Sequence, residues 1–133
     1  MATIANAKLA ISVNLPTGTA KVLVTCDVRF SQLEIFLMKN GLRFRLNCQV
    51  WGEDNGQGAW VDPDDHLFNY ASVFFPDATP ASVEKATFET TVSLRVLQED
   101  SGTDEIYGQL ILRNLENGSS VRRKTNTVVH QFG

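Results

Sequence analysis

Acidic side chains are the residues of this chain best suited to chemistry, and many of them lie between residues 53 and 65. Ca²⁺ takes about six to eight oxygen ligands, and carboxylates on neighbouring loops supply them well. No D-x-D-x-D-G spacing is present, and Pro63 interrupts the densest part, so solvated turn acids are the alternative interpretation. The candidate calcium ligands are Asp54, Asp62, Asp64 and Asp65.

Aromatic side chains surround the same stretch. Trp51 and Trp60 bracket a glycine- and acid-rich segment, and Tyr70 follows it. Exposed rings beside carboxylates can bind a sugar or a peptide, because the ring supplies a flat apolar surface and the polar groups supply direction. These residues favour, as the second hypothesis, a carbohydrate-binding or calcium-dependent binding module that uses residues 52–65. The alternative is that the tryptophans pack over the core and hold this segment in place.

Catalytic motifs are missing from the sequence. His66 and His130 are the only histidines, and neither belongs to a recognisable nucleophile or metal motif. The chain has no G-x-S-x-G, no H-E-x-x-H and no P-loop. We therefore expect a protein that is not an enzyme and that carries no cofactor, calcium excepted.

Two basic clusters are candidates for phosphate contacts. One combines Arg113 with residues 122–124, and the other is Arg43 with Arg45. Strand alternation sends Arg123 to the opposite face from its neighbours. The sequence pI near 5.3 also argues against nucleic acid as a partner. We interpret these charges as edge-strand residues that limit aggregation.

The elements that position these groups show a period of two residues, which is typical of strands with one buried face. The Asn-Gly pairs at residues 40–41 and 117–118 predict tight hairpin turns. The predicted strands are residues 7–13, 22–30, 33–37, 44–50, 66–75, 88–96, 106–114 and a last one that ends near His130.

These strands predict a fold class. Eight short strands without any helical period favour a single all-β domain over residues 1–133, an antiparallel β-sandwich. A closed barrel is the alternative, because the pattern does not reveal whether the edge strands pair. A calcium site on loops at one end would make the domain C2-like.

Residues 88–118 carry a resemblance to immunoglobulin-like domains. The segment from Val92 to Leu97, the acidic turn after it and Tyr107 look like strand E, the E–F turn and strand F. Val24 to Val28 is similar to strand B. The resemblance implies a sandwich and a tyrosine corner, in which the Tyr107 phenol bonds upstream backbone. Gln109 stands where antibody-type domains place their second cysteine.

An apolar surface and segregated charge point to the leading hypothesis for function. In the predicted strand 33–37 and its continuation, Phe36 and Met38 form a second apolar face that needs cover. The formal charge is +4 over residues 1–50, −10 over 51–110 and +3 over 111–133. A dipolar chain favours association. We therefore expect a structural or assembly module that acts through protein–protein contacts, including self-association.

The compartment is predicted from two absences and two cysteines. No apolar run approaches the roughly 20 residues that span a bilayer, and the first residues lack the pattern of a secretory signal. We expect a cytoplasmic protein. Cys26 and Cys48 fall on the apolar sides of their strands, which favours buried free thiols, with a cross-sheet disulfide as the alternative.

Overall fold

The computed structural model describes residues 1–53, 64–98 and 103–132. Within these ranges the chain forms two antiparallel sheets and two short helices, and a 3-10 turn at Leu15–Thr17 joins the first two strands. The strands are β1 (Thr3–Asn14), β2 (Thr19–Arg29), β3 (Phe44–Gly52), β4 (Asp65–Asn69), β5 (Val73–Phe75), β6 (Val83–Ser93), β7 (Asp104–Asn114) and β8 (Ser120–His130); the helices are α1 (Gln32–Lys39) and α2 (Leu94–Leu97).

The two sheets are separate, which confirms the predicted sandwich in place of a closed barrel. The three-stranded sheet has the order β1-β2-β6. The five-stranded sheet has the order β4-β3-β7-β8, and β5 pairs with β3 on the same side as β4. Since every pairing is antiparallel, alternate side chains point into the space between the sheets.

The core lies in that space and follows the period-two pattern. β2 points Val22 and Val24 inward, β3 points Leu46 and Val50 inward, and β7 adds Leu110; all five are fully buried. Burial of side chains of this size stabilises the fold by about 1.5–3 kcal/mol each. No helix in the described residues is long and apolar enough to cross a bilayer.

The predicted strand 33–37 is wrong, because these residues form helix α1. A capping box starts it: the Ser31 hydroxyl accepts from the Glu34 amide at 3.2 Å, and the Glu34 carboxylate accepts from the Ser31 amide at 2.9 Å. The predicted turn at residues 40–41 is therefore the end of a helix, where Gly41 takes a φ of 110°. Phe36 and Met38 do not share an exposed face, since Met38 is buried and Phe36 is 61% exposed.

Two other strand predictions change at their ends. The single strand predicted for residues 66–75 is two short strands, β4 and β5, which pair with successive parts of β3. The strand predicted to reach Val96 stops at Ser93, and Leu97 in the following turn of helix is fully buried. The predicted turn at residues 117–118 is confirmed, with Gly118 at a φ of 77°.

At one side of the sandwich, a side chain of β8 forms hydrogen bonds with the backbone of β1. The Asn126 side chain on β8 accepts from the Leu9 amide at 2.8 Å and donates to the Leu9 carbonyl at 3.1 Å. These are the two backbone groups that an edge strand leaves unpaired. β1 is also bulged between Ala5 and Lys8, where Asn6 takes a φ of 53°. Asn126 therefore links the edges of the two sheets.

Replacing Asn126 by alanine should lower the free energy of unfolding by about 1–2 kcal/mol, because the amide and the carbonyl of Leu9 both lose their partner. The midpoint of urea denaturation measures this. Thr127→Ala, at the next and exposed position of β8, is the matched control and should leave the midpoint nearly unchanged. Equal midpoints for the two variants would contradict the role of Asn126.

Candidate functional site

The outer edge of β6 is an 11-residue stretch of regular backbone without a partner strand among the described residues. At its two ends, the Ser82 carbonyl accepts from the Phe30 amide and the Leu94 amide donates to the Gly18 carbonyl. Both bonds point toward β2. In an antiparallel ladder the bonding groups of alternate residues point to the same side. The amides and carbonyls of residues 83, 85, 87, 89 and 91 therefore point away from the sheet.

Other edges in the described structure are protected. β1 is bulged and held by Asn126, β8 is bulged opposite Gly108 and carries three consecutive cations, and β4 and β5 span only five and three residues. These are the devices by which natural sheets avoid edge-to-edge pairing. β6 has neither a bulge nor a proline: its pairing with β2 runs without a register shift over 11 residues. Its charged side chains are of both signs, unlike the three consecutive cations of β8.

The exposed side chains of β6 alternate in charge about a central residue. Lys85 and Glu89 lie two positions before and after Thr87, and all three are exposed. Glu89 contacts the Lys21 ammonium of β2 at 3.1 Å, and both side chains are about half exposed. The stretch is therefore complementary in charge to an antiparallel copy of itself.

A groove of about 580 Å³ lies between β6 and residues 67–73, which run from the last part of β4 to the start of β5. Tyr70 closes its floor. The Tyr70 hydroxyl donates to the Val22 carbonyl at 2.6 Å, and its ring contacts Phe68 and Phe88 with centroids 5.4 and 5.5 Å apart. Burial raises the pKa of the Tyr70 phenol, so it stays protonated. The groove keeps residues 67–73 away from the free edge.

The outer face of the five-stranded sheet carries a second cluster, which we call the donor face. In the register of the sheet, Arg45 lies opposite Arg113 and Gln49 lies opposite Gln109. Lys124 follows Gln109 in the same row, and its ammonium lies 4.3 Å from the centroid of the Tyr107 ring. The donor face consists of Arg45, Asn47, Gln49, Asn69, Gln109, Arg113, Arg122 and Lys124.

Three amides of the donor face have their oxygen atoms occupied by neighbours. Asn47 Oδ1 accepts from the Ser72 hydroxyl at 2.6 Å, and Gln49 Oε1 accepts from Trp51 Nε1 at 3.1 Å. Asn69 Oδ1 lies 2.7 Å from His66 Nε2. Their NH₂ groups have no acceptor among the described residues. This face therefore presents mainly hydrogen-bond donors and positive charge.

The two predicted aromatic residues that the structure describes, Trp51 and Tyr70, lie apart. Trp51 lies on the outer face of the five-stranded sheet, half-buried, with its ring edge-on to His66 at 5.1 Å. Tyr70 points between the sheets, toward Phe88. Of the apolar pair, Phe36 is exposed on α1 and Met38 belongs to the core. Trp60 lies outside the described residues.

Only part of the predicted calcium cluster can be placed. Asp54 and Asp62 lie outside the described residues. Asp64 Oδ2 accepts from the Tyr107 hydroxyl at 2.6 Å. The tyrosine-corner prediction is therefore wrong, because this phenol bonds a carboxylate. Asp65 begins β4, and no group of three or more His, Cys, Asp or Glu side chains suited to a metal occurs in the described ranges.

Sequence reasoning missed the edge, and of the donor face it grouped Arg113 with Arg122 and Lys124 but assigned Arg45 to a separate cluster and missed the amides. The alternation of β6 was visible, but its position at the end of a sheet depends on strand order. Arg45 and Arg113 lie 68 positions apart in the chain, and only the register of β3 against β7 places them side by side. The period of two did indicate that Arg122 and Lys124 share a face.

Comparisons with known proteins identify no family. No protein-family model matches the chain, and no curated protein does. Among solved structures, the chain is similar to the X-ray structure of a Northeast Structural Genomics Consortium target, SoR45, with a TM-score of 0.42 and 11% sequence identity. The likeness covers 98% of this chain and 85% of that one.

The two cysteines are buried free thiols, as predicted. Burial raises the pKa of Cys26 to about 11, and the neighbouring Asp27 carboxylate adds to this rise. Burial likewise raises the pKa of Cys48 to about 12, with a smaller contribution from Cys26. Both thiols are therefore protonated at neutral pH, and thiolate chemistry is disfavoured at this position.

The thiols should resist alkylation by iodoacetamide at pH 8 in the folded protein and react fully in guanidinium. Rapid labelling of the folded protein at pH 8 would contradict their burial.

The raised pKa values of Cys26 and Cys48 also make the free energy of unfolding depend on pH. The folded state holds these protons more tightly than the unfolded state, where the pKa is about 9. This stabilisation is complete below pH 9 and is lost as the pH rises through 11 to 12. Cys48→Ala should flatten the dependence of the free energy of unfolding on pH.

Proposed function

We propose that this chain is a non-enzymatic assembly module that binds a second copy of itself through β6. The observation that carries the proposal is the free edge of β6, which is long, regular and self-complementary in charge. A strand with a row of unpaired amides and carbonyls is a template for another strand. A twofold axis through that edge would join two three-stranded sheets into one of six strands.

The charges favour a register centred on Thr87 over its two neighbours. When Thr87 lies opposite Thr87 of the second copy, Lys85 lies opposite Glu89 on both sides of the axis. The residues that point their backbone groups outward then face each other, as antiparallel hydrogen-bonded pairs require. A register centred on Lys85 or on Glu89 would place like charges directly opposite, which is unfavourable. The proposed interface is therefore centred on Thr87.

The strand order supports an immunoglobulin-like classification for the module, which we propose on topology. The order β1-β2-β6 corresponds to strands A, B and E, and β3, β7 and β8 correspond to C, F and G. Cys26 on β2 and Cys48 on β3 occupy inward positions without a disulfide. The core then depends on apolar packing where antibody domains have a bridge between strands B and F.

Charge reversal on β6 tests the proposal by sedimentation equilibrium. The wild-type chain should dimerise in a concentration-dependent way. Lys85→Glu should raise the dimer Kd about tenfold or more, because the twofold axis creates two Glu–Glu oppositions and removes two favourable pairs. The double variant Lys85→Glu/Glu89→Lys should restore dimerisation, since it exchanges the charges and keeps them complementary.

Two controls separate association from folding. Thr87→Pro removes an amide that points away from β2, so the monomer should keep its fold while the dimer is lost. The double variant gives position 89 the same sign of charge as Lys21 and position 85 the same sign as Asp27, which lies opposite it on β2. Each change should cost at most about 1 kcal/mol in the monomer, which thermal denaturation measures. A wild-type chain that stays monomeric at high concentration, or a double variant no better than Lys85→Glu, would overturn the proposal.

A further inference from the structure

The donor face is costly for the sheet that carries it. Arg45 and Arg113 lie directly opposite each other on β3 and β7, and like charges at such positions destabilise a sheet. No carboxylate forms an ion pair with Arg45, Arg113, Arg122 or Lys124 in the part of the chain that the structure describes. Arg45 Nε is also buried without a hydrogen-bond partner there. Folding alone gives no reason to place these groups together.

The neighbouring amides add directional donors to this charge. The oxygen atoms of Asn47, Gln49 and Asn69 are occupied, so their NH₂ groups are what they present to solvent. Side chains two residues apart on one strand, such as Arg122 and Lys124, lie about 7 Å apart along it. A ligand that fits must be rich in acceptor oxygens, carry repeated negative charge and lie along a sheet surface.

We propose that the donor face binds an acidic polysaccharide, a chain of sugars that carry carboxylate or sulfate groups. The anionic groups would accept from the Arg and Lys side chains, and the sugar hydroxyl and ring oxygens would accept from the amides. A sugar hydroxyl that donates elsewhere can face water. This site lies on the five-stranded sheet, so it is independent of the β6 edge.

Other polyanions fit this face less well. A peptide brings backbone amides that need acceptors, and three of the four side-chain amide oxygens on this face already accept a hydrogen bond. Single-stranded nucleic acid brings bases as well as phosphates. Bases would also require exposed aromatic rings for stacking, but Tyr107 is buried and the Trp51 ring is half-buried against His66.

Isothermal titration of the full chain at about 0.15 M salt tests the proposal. The probes are polygalacturonate, heparin, neutral dextran, polyaspartate and single-stranded poly(dT). We expect binding to polygalacturonate or heparin. Binding of polygalacturonate shows that carboxylates suffice, and binding of heparin alone shows that sulfate groups are needed. Dextran should not bind, and polyaspartate and poly(dT) should bind at least about tenfold more weakly.

The double variant Arg113→Gln/Lys124→Gln should weaken binding of the acidic polysaccharide about tenfold or more, because two charge-assisted contacts are lost. Its Tm should stay the same or rise, since Arg45 loses a like-charged neighbour. The matched control is Lys8→Gln/Arg29→Gln, which removes two exposed charges from the other sheet and should change the affinity less than about twofold.

Three results would overturn the proposal. The first is that neither acidic polysaccharide binds to the wild-type chain. The second is an equal loss of affinity in the control variant, which would reduce the effect to net charge. The third is that poly(dT) or polyaspartate binds as tightly as the sugars, because the face would then attract any polyanion. Failure of dimerisation through β6 would leave this proposal unchanged, as the two surfaces share no residue.

Discussion

A sheet that ends must leave a row of backbone amides and carbonyls on its last strand, and this constraint organises the molecule. In β1, a bulge interrupts this row of backbone groups, and the side-chain amide of Asn126 binds the amide and the carbonyl of Leu9 as a partner strand would. β4 and β5 are short strands, so each leaves few backbone groups unpaired. β6 alone among these described edges is long and in continuous register with its neighbour. The difference in treatment is what makes β6 a candidate interface.

The two outer surfaces of the sandwich follow from the same alternation that builds the core. Once Leu46, Cys48 and Val50 point inward, Asn47 and Gln49 must point outward. The inner set is selected for volume and apolar character. The outward residues are not constrained by core packing. On the five-stranded sheet they are hydrogen-bond donors and cations, which do not stabilise one another. A surface that costs stability without a structural return is the basis of the ligand proposed for it.

Much of the fold could be predicted from the sequence because period-two alternation reports burial directly. β2, β3 and β7 lie within two residues of their predicted positions at most ends, and Gly118 marks the turn between β7 and β8 as expected. Helix α1 was missed because its apolar residues fit a strand as well as one face of a helix. The signal that resolves this is the capping box of Ser31 and Glu34, whose carboxylate also accepts from the Ala2 amide.

The sequence by itself determined the all-β class, the inward-facing cysteines and the shared face of Arg122 and Lys124, since each depends on the alternation of residue types along a strand. The tertiary structure decided which strand lies at an edge, which arginines become neighbours and which ring reaches the core. Those properties depend on strand order and register between distant segments. The charge of β6 illustrates the division: Lys85 and Glu89 are plain in the sequence, but only the order β1-β2-β6 exposes their strand to a partner.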